Sequence, residues 1–181
     1  AFLNNDAGAR GGAIASIGQT GGSNGLALRV DNSLFLANGA PDGGAVHDFR
    51  TRTDIVSSAF SGNVATLRGG AYSANRGTGG VGLNQSRRIV NSTFSGNLAA
   101  QGGAIAYDSG SNSQPDPSLP ALAISNSIIA HNDCSAIGQC GPALHHTGTA
   151  SSPGSGQIVV RASCLDGSLQ SGAVATTYAP G

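Results

Sequence analysis

The chain has 181 residues, with nine Arg against nine Asp and neither Lys, Glu, Met nor Trp. Sparse, balanced charge excludes the clustered cations that nucleic-acid binding requires, and no apolar run reaches the length of a membrane-spanning helix. With 29 glycines and 4% aromatics, the 39% apolar content describes a thin core with many turns, not a thick globule.

Taken in order, the chain repeats a two-part motif of Phe-x-x-Asn followed by Gly-Gly-Ala and an apolar residue. Phe2-Leu3-Asn4-Asn5 leads to Gly11-Gly12-Ala13-Ile14, and Phe35-Leu36-Ala37-Asn38 to Gly43-Gly44-Ala45-Val46. Phe60-Ser61-Gly62-Asn63 then leads to Gly69-Gly70-Ala71-Tyr72, and Phe94-Ser95-Gly96-Asn97 to Gly102-Gly103-Ala104-Ile105. Ile129-Ala130-His131-Asn132 is a degenerate fifth copy without its glycine pair, and Leu165-Asp166-Gly167-Ser168 with Gly172-Ala173-Val174 a worn sixth. Between the motifs lie β-branched stretches around Val30, Ile55, Ile89, Ile124 and Val160, each placed five residues before the motif Phe or its substitute.

The motif asparagines are 33, 25, 34 and 35 residues apart, a spacing at which each repeat is one unit stacked on its neighbours. Apolar segments of three to five residues broken by Gly, Asn and Ser are too short for helices. The expected fold is all-β: a single right-handed parallel β-helix, or β-solenoid, over residues 1–181, with about five to six coils and three short strands per coil. Like residues then stack about 4.8 Å apart along the axis. The structural ladder expected is Phe35, Phe60, Phe94 and Ile129 inside, extended by Phe2 and Leu165, with Asn38, Asn63, Asn97 and Asn132 at a corner bonding to turn backbone. A first residue that falls inside a motif, with no initiator Met, points to a processed chain or a segment of a longer protein.

Four paired FxxN and GGAI copies in order resemble the polymorphic outer-membrane protein repeat and, more broadly, the secreted bacterial right-handed parallel β-helix proteins, over residues 1 to about 174. The run Asn126 to Ser135 is similar to late coils of that group, where Cys-Ser follows the Asn. The resemblance implies a non-enzymatic, secreted or cell-surface protein with a scaffold or adhesive role. It carries over no catalytic residue, cofactor or metal site.

Three cysteines, Cys134, Cys140 and Cys164, fall in the last third, where the motif is most worn. A disulfide there replaces lost ladder contacts. Cys134 with Cys140 closes a small loop, and Cys164, about one coil from Cys134, is the competitor. A zinc site from Cys134, Cys140, His145 and His146 is the sharper alternative, at a spacing that fits no standard pattern.

Coil length varies chiefly after the Gly-Gly-Ala strand, in loops 16–25, 75–84, 108–120 and 141–157. Loops gathered on one edge of a rigid scaffold are where protein or glycan contact is expected. Self-association through the terminal coils is the other expected partnership. Arg29, Asp54 and Arg88 share one coil position and should form an outward ladder. The enzymatic alternative is a pectate-lyase-like lyase or a glycoside hydrolase, but only one carboxylate stands in that column, against the several oxygens of a calcium site or the carboxylate pair of a hydrolase. Threonines do not recur at one coil position, which removes a regular ice-matching array. Of two glycosylation sequons, Asn84 lies in a loop, whereas Asn91 shares a corner with Asn32 and Asn126 and is expected to be buried.

Overall fold

A computed structural model describes residues 1–18, 27–77, 86–110, 121–135, 141–147, 158–165, 169–171 and 176–179, the last two segments as backbone alone. These residues contain strands and turns and no helix. Among the described residues, successive coils run through the sheets in the same order, with a sheet 2 strand in four of them.

Sheet 1 holds Phe2–Leu3, Leu34–Leu36, Ala59–Ser61, Thr93–Ser95, Ile128–Ala130 and Cys164–Leu165. Sheet 2 holds Gly39–Asp42, Val64–Arg68, Leu98–Ala99 and Asp133–Cys134. Sheet 3 holds Ile14–Ile17, Val46–Phe49, Tyr72–Asn75, Ile105–Asp108, Leu144–Thr147 and Leu169–Ser171. Sheet 4 holds Ala27–Asp31, Arg52–Val56, Arg87–Val90, Leu122–Ser125, Ile158–Arg161 and Thr176–Ala179. Within each sheet every strand lies parallel between its counterparts of the coils before and after. This is a parallel β-helix. Sheets 1, 3 and 4 run through six strands; sheet 2 is a fourth, four-stranded sheet beyond the three per coil read from sequence. Its strands occupy the segment between the Asn and the glycine pair, where alternation is too short to register as a strand.

Many of the described corners turn on one residue with positive φ. Between sheets 4 and 1 these are Asn32, Ser57, Asn91, Asn126 and Ala162, and between sheets 1 and 2 Asn4, Ala37, Gly62, Gly96 and His131. Asn is the residue other than Gly that adopts this conformation most readily. Asn32, Asn91 and Asn126 are therefore exposed turn residues, contrary to the burial expected for Asn91. The buried residue of that corner is the serine that follows. Ser58, Ser92 and Ser127 each accept the backbone N–H of the preceding coil's serine, from Ser33, Ser58 and Ser92, at 3.1–3.2 Å, and each donates its hydroxyl to the carbonyl two residues back.

The glycine pair has two separate causes. The first member carries the left-handed turn, with φ of +67°, +64° and +65° at Gly43, Gly69 and Gly102. The second lies so close to the next coil that a Cβ at Gly44 would stand 2.1 Å from the Gly70 carbonyl oxygen.

Inside, Phe2, Phe35, Phe60 and Phe94 stack with ring centroids 4.6–4.7 Å apart and planes within 6°. Ile129 and Leu165 continue the column in register. Facing it, Val30, Ile55, Ile89, Ile124 and Val160 form the inward column of sheet 4.

Candidate functional site

The motif asparagines form a continuous amide ladder. Asn38, Asn63 and Asn97 each donate a side-chain N–H to the Oδ1 of the next motif Asn at 2.8–2.9 Å, and their backbone N–H groups reach the same oxygen at 3.0 Å. The second side-chain N–H goes to the carbonyl of the preceding coil's Phe, from Asn63 to Phe35, Asn97 to Phe60 and Asn132 to Phe94. Every donor is used and Asn63 and Asn97 are wholly buried. The ladder has no free chemistry to offer a ligand.

A second polar feature was not read from the sequence. On sheet 3, Val46 and Asp48 point inward, and Asp48 is completely buried. Arg87, also completely buried, enters from sheet 4 one coil later, with Nε 2.9 Å from one Asp48 oxygen and Nη2 2.6 Å from the other. Thr53 donates to Asp48 at 2.8 Å, and Tyr72, the coil-3 residue stacked on Val46, also donates its hydroxyl to Asp48. Ala74 occupies the Asp48 column one coil later, and its small side chain leaves room for the guanidinium. Above it in that column stand Tyr107 and His146, their rings stacked 5.3 Å apart, with the Arg87 guanidinium 5.5 Å from the Tyr107 ring. Burial alone would lower the Arg87 pKa, but Asp48 outweighs it and holds the guanidinium protonated. Burial, and then Asp48, push the Tyr72 phenol well up, so it stays a donor. This is an ionic lock, sealed from solvent and unable to reach a substrate.

Outside, the angle between sheets 2 and 3 carries an ionic strap. Arg68 pairs with Asp42 of the coil below at 3.0 Å and with Asp108 of the coil above at 3.4 Å, and Asp108 also accepts from Asn75 at 3.2 Å. The second residues of the sheet 3 strands, His47, Ser73, Ala106 and His145, form one column and are all buried. Burial pushes the His47 pKa down to about 4, with Asp42 opposing the shift and Arg10 adding to it. His145 is lowered by burial and then by Arg68. Beside the strap, Leu67, Arg68, Ala100 and Gln101 line a shallow pocket of about 360 Å³. Exposed Leu67, Val64 and Leu98 make that outer side of sheet 2 apolar.

On sheet 4 the Arg29, Asp54 and Arg88 column is in register, but its pairing is not a simple ladder. Asp54 faces Arg88 at 3.5 Å and Arg52 of its own strand at 3.6 Å, while Arg29 pairs with Asp31 at 2.7 Å. The next residue of that column is Ala123. One carboxylate held between two guanidinium groups has neither the paired acids of a hydrolase nor a calcium cage.

The cysteine expectations are corrected in part. Cys164 is a free, exposed thiol. Its neighbour one coil back is Ile128 on sheet 1, whereas that of Cys134 is Ala99 on sheet 2, so the two lie on different sheets and Cys164 is not a partner for Cys134. Cys140 lies outside the described residues. His145 and His146 are consecutive on one strand, facing opposite sides, and so do not converge on one zinc ion. Among the described residues no three metal-ligating side chains cluster. Most of the loops, and Asn84, also lie outside the described residues; Ser16 lies within a sheet 3 strand and Asn75 and Asp108 end theirs, while the stretch 141–157 opens not on a loop but on the buried sheet 3 strand Leu144–Thr147.

Residues 91–107 match the family model described as the Chlamydia polymorphic membrane protein repeat. The matched stretch is about half of one coil, from the Asn91 corner through Phe94 and Asn97 and the glycine corner into the sheet 3 strand. No curated protein and no solved structure matches the chain. The short repeat match and the stacked parallel sheets fit a β-helix similar to that of the polymorphic membrane proteins, and the matched repeat family is one of surface, outer-membrane type. No helix among the described residues is long and apolar enough to cross a membrane.

Proposed function

We propose that this chain is a non-enzymatic scaffold or adhesin module of an extracellular or cell-surface protein. The observation that carries the reading is the repeat match lying on uninterrupted Phe and Asn ladders. Side-chain chemistry in these coils goes into holding the stack rigid, and a rigid stack presents loops at fixed spacing. The segments 19–25, 78–84, 111–120 and 148–157, which follow the sheet 3 strands and precede those of sheet 4, form the contact edge for a protein or glycan. Phe2, Ile14 and Leu28 of the first coil are only partly buried, which suits coverage by a further coil, from the same chain or a second copy. Cys134 pairs with Cys140 in a loop at the worn end, which leaves Cys164 as the free thiol.

Binding of the purified chain to cultured cells and to a glycan array, beside a version with the four loops replaced by Gly-Ser linkers of equal length, tests the reading. Binding lost with the loops while melting is unchanged supports it. Turnover of a uronate or neutral polysaccharide that disappears in Asp54→Asn would replace it with an enzymatic one.

A further inference from the structure

The corner at which sheet 3 runs into the loops carries a charge that nothing described in the fold compensates. Arg76 follows the strand Tyr72–Asn75, its backbone N–H bonding to the Asp108 carbonyl, so it lies within the stack two places beyond Ala74 and one coil below Ser109. It is 7% exposed, and its Nε and Nη1 are buried without any hydrogen-bond partner. Carboxylates of the adjoining coils are committed elsewhere: Asp48 to Arg87, Asp42 to Arg68, and Asp108 to Arg68, Asn75 and the Gly110 N–H.

Around the same place other groups are left over. Tyr107, the residue stacked on Ala74, is 1% exposed and its hydroxyl makes no hydrogen bond by distance and angle, yet it lies close enough to Arg76 for the guanidinium to act on its ionisation. His146, stacked on Tyr107 one coil further, is 2% exposed with both ring nitrogens unpartnered. Buried polar groups in folded proteins are otherwise nearly always satisfied. A guanidinium offers only donors, a phenol offers a donor, and a neutral imidazole offers one more. A donor-rich set around a fixed positive charge selects an anion over a cation. Water would satisfy the hydrogen bonds but leave the charge uncompensated, and a buried charge without a counter-charge is strongly disfavoured.

We propose that Arg76 and Tyr107 hold a small monovalent anion of chloride size inside the solenoid, below His146, where it acts as a structural counter-ion for the coils on either side.

Thermal and urea unfolding of the whole chain in sodium chloride, against sodium gluconate at equal ionic strength, reads binding directly. An anion that binds only the folded state raises the folded-to-unfolded ratio about tenfold for each tenfold rise in concentration above its dissociation constant. Chloride and bromide are expected to produce this rise and gluconate is not. Arg76→Met removes the charge and should abolish the chloride dependence, and Tyr107→Phe, which keeps the ring stack, should weaken it. Anomalous diffraction from bromide-soaked wild-type crystals is independent of whether either variant folds, and should place a peak against Nε and Nη1 of Arg76. Equal stability in the two salts, chloride dependence that persists in Arg76→Met, or bromide confined to the surface would each overturn the proposal.

Discussion

Asp48→Ala should be among the most damaging single substitutions in this protein. Asp48 is fully buried and accepts from Arg87, Thr53 and Tyr72. Its removal strands the Arg87 guanidinium, also fully buried, at a cost of about 3–5 kcal/mol for a broken buried pair. The Thr53 and Tyr72 hydroxyls are orphaned too, each adding up to about 1–3 kcal/mol where no water reaches them. Replacing the pair by apolar residues of similar volume behaves differently. In Asp48→Leu with Arg87→Met the stranded charge is gone, and adding Thr53→Val and Tyr72→Phe removes the orphans, so the quadruple variant should lie within about 2 kcal/mol of wild type or above it. Urea unfolding followed by far-UV circular dichroism measures both, and the Asp48 and Arg87 double-mutant cycle isolates their coupling. A loss below about 1 kcal/mol for Asp48→Ala would mean that solvent reaches the lock, and the account of this interior would be wrong.

Phe94→Ala should cost about 3–5 kcal/mol, because the Phe60 ring on one side of it and Ile129 on the other are held in their own coils and cannot close on the void; denaturant melts check it, and a cost near that of a surface substitution would break the register. Gly103→Ala places a Cβ 2.2 Å from the Asp133 carbonyl oxygen, so it should be strongly destabilising or fail to fold, judged by soluble yield and melting temperature. For His47 the folded pKa of about 4 lies below the ordinary 6.5, so the unfolded chain takes up the proton first. Its contribution, about 3 kcal/mol at most by this shift, is present above pH 6.5 and lost as pH falls towards 4. His145 and His146 act in the same direction. Stability measured against pH should fall less steeply across that window in His47→Gln, and an unchanged slope would remove His47 as a cause. A thiol reagent under denaturing conditions should label Cys164 alone before reduction and all three cysteines after it; labelling of Cys134 before reduction would end the proposed pairing with Cys140.

The ladders were legible because each depends on one residue type recurring at a fixed offset. Phe35, Phe60 and Phe94 precede Asn38, Asn63 and Asn97 by three residues, and Val30, Ile55 and Ile89 precede the Phe by five, so register along the axis follows from counting. Sheet 2 was not legible, since its strands carry Ala40, Ala65 and Ala99 where a larger residue would have marked an inward face. The serine ladder hid behind the exposed asparagines beside it, because Asn at a left-handed turn and Ser in a buried corner are both ordinary turn residues. The ionic lock did leave a trace. Arg88 was read as outward and Ile89 as inward, and alternation then puts Arg87 inward, while Val46 inward does the same for Asp48. Two opposite charges at inward places of adjacent coils were on the page, but without a repeat they did not stand out from the surface charges.

That lock also explains how coils of unequal length keep one register. The coil between Asn38 and Asn63 is the shortest, at 25 residues, and passes from Phe49 to Arg52 through a corner in which Arg50 takes a φ of +57°. The next coil carries an insertion of ten or so residues before the chain returns at Arg87. On return, a slip of one residue would exchange Arg87 for Arg88 and send Ile89 outward. Apolar burial alone distinguishes the two registers weakly here, since Ile89 and Val90 are both β-branched and of similar size. Asp48, fixed in the tight coil below, still meets a guanidinium when Arg88 takes that place, and rejects only the opposite slip, which would bring Ser86 there. The later returns, at Leu122 beside Ala123 and at Ile158 beside Val159, have no such pair, and there the column of large residues set by Ile89 and Ile124 has to carry the register. A charge pair placed after the 75–84 insertion thus excludes one direction of slip as the chain returns to the stack. Shortening the 78–85 loop by one or two residues should accordingly leave stability nearly unchanged in the native chain and lower it in the Asp48→Leu, Arg87→Met background. Equal tolerance in both backgrounds would show that the lock adds stability but does not set register.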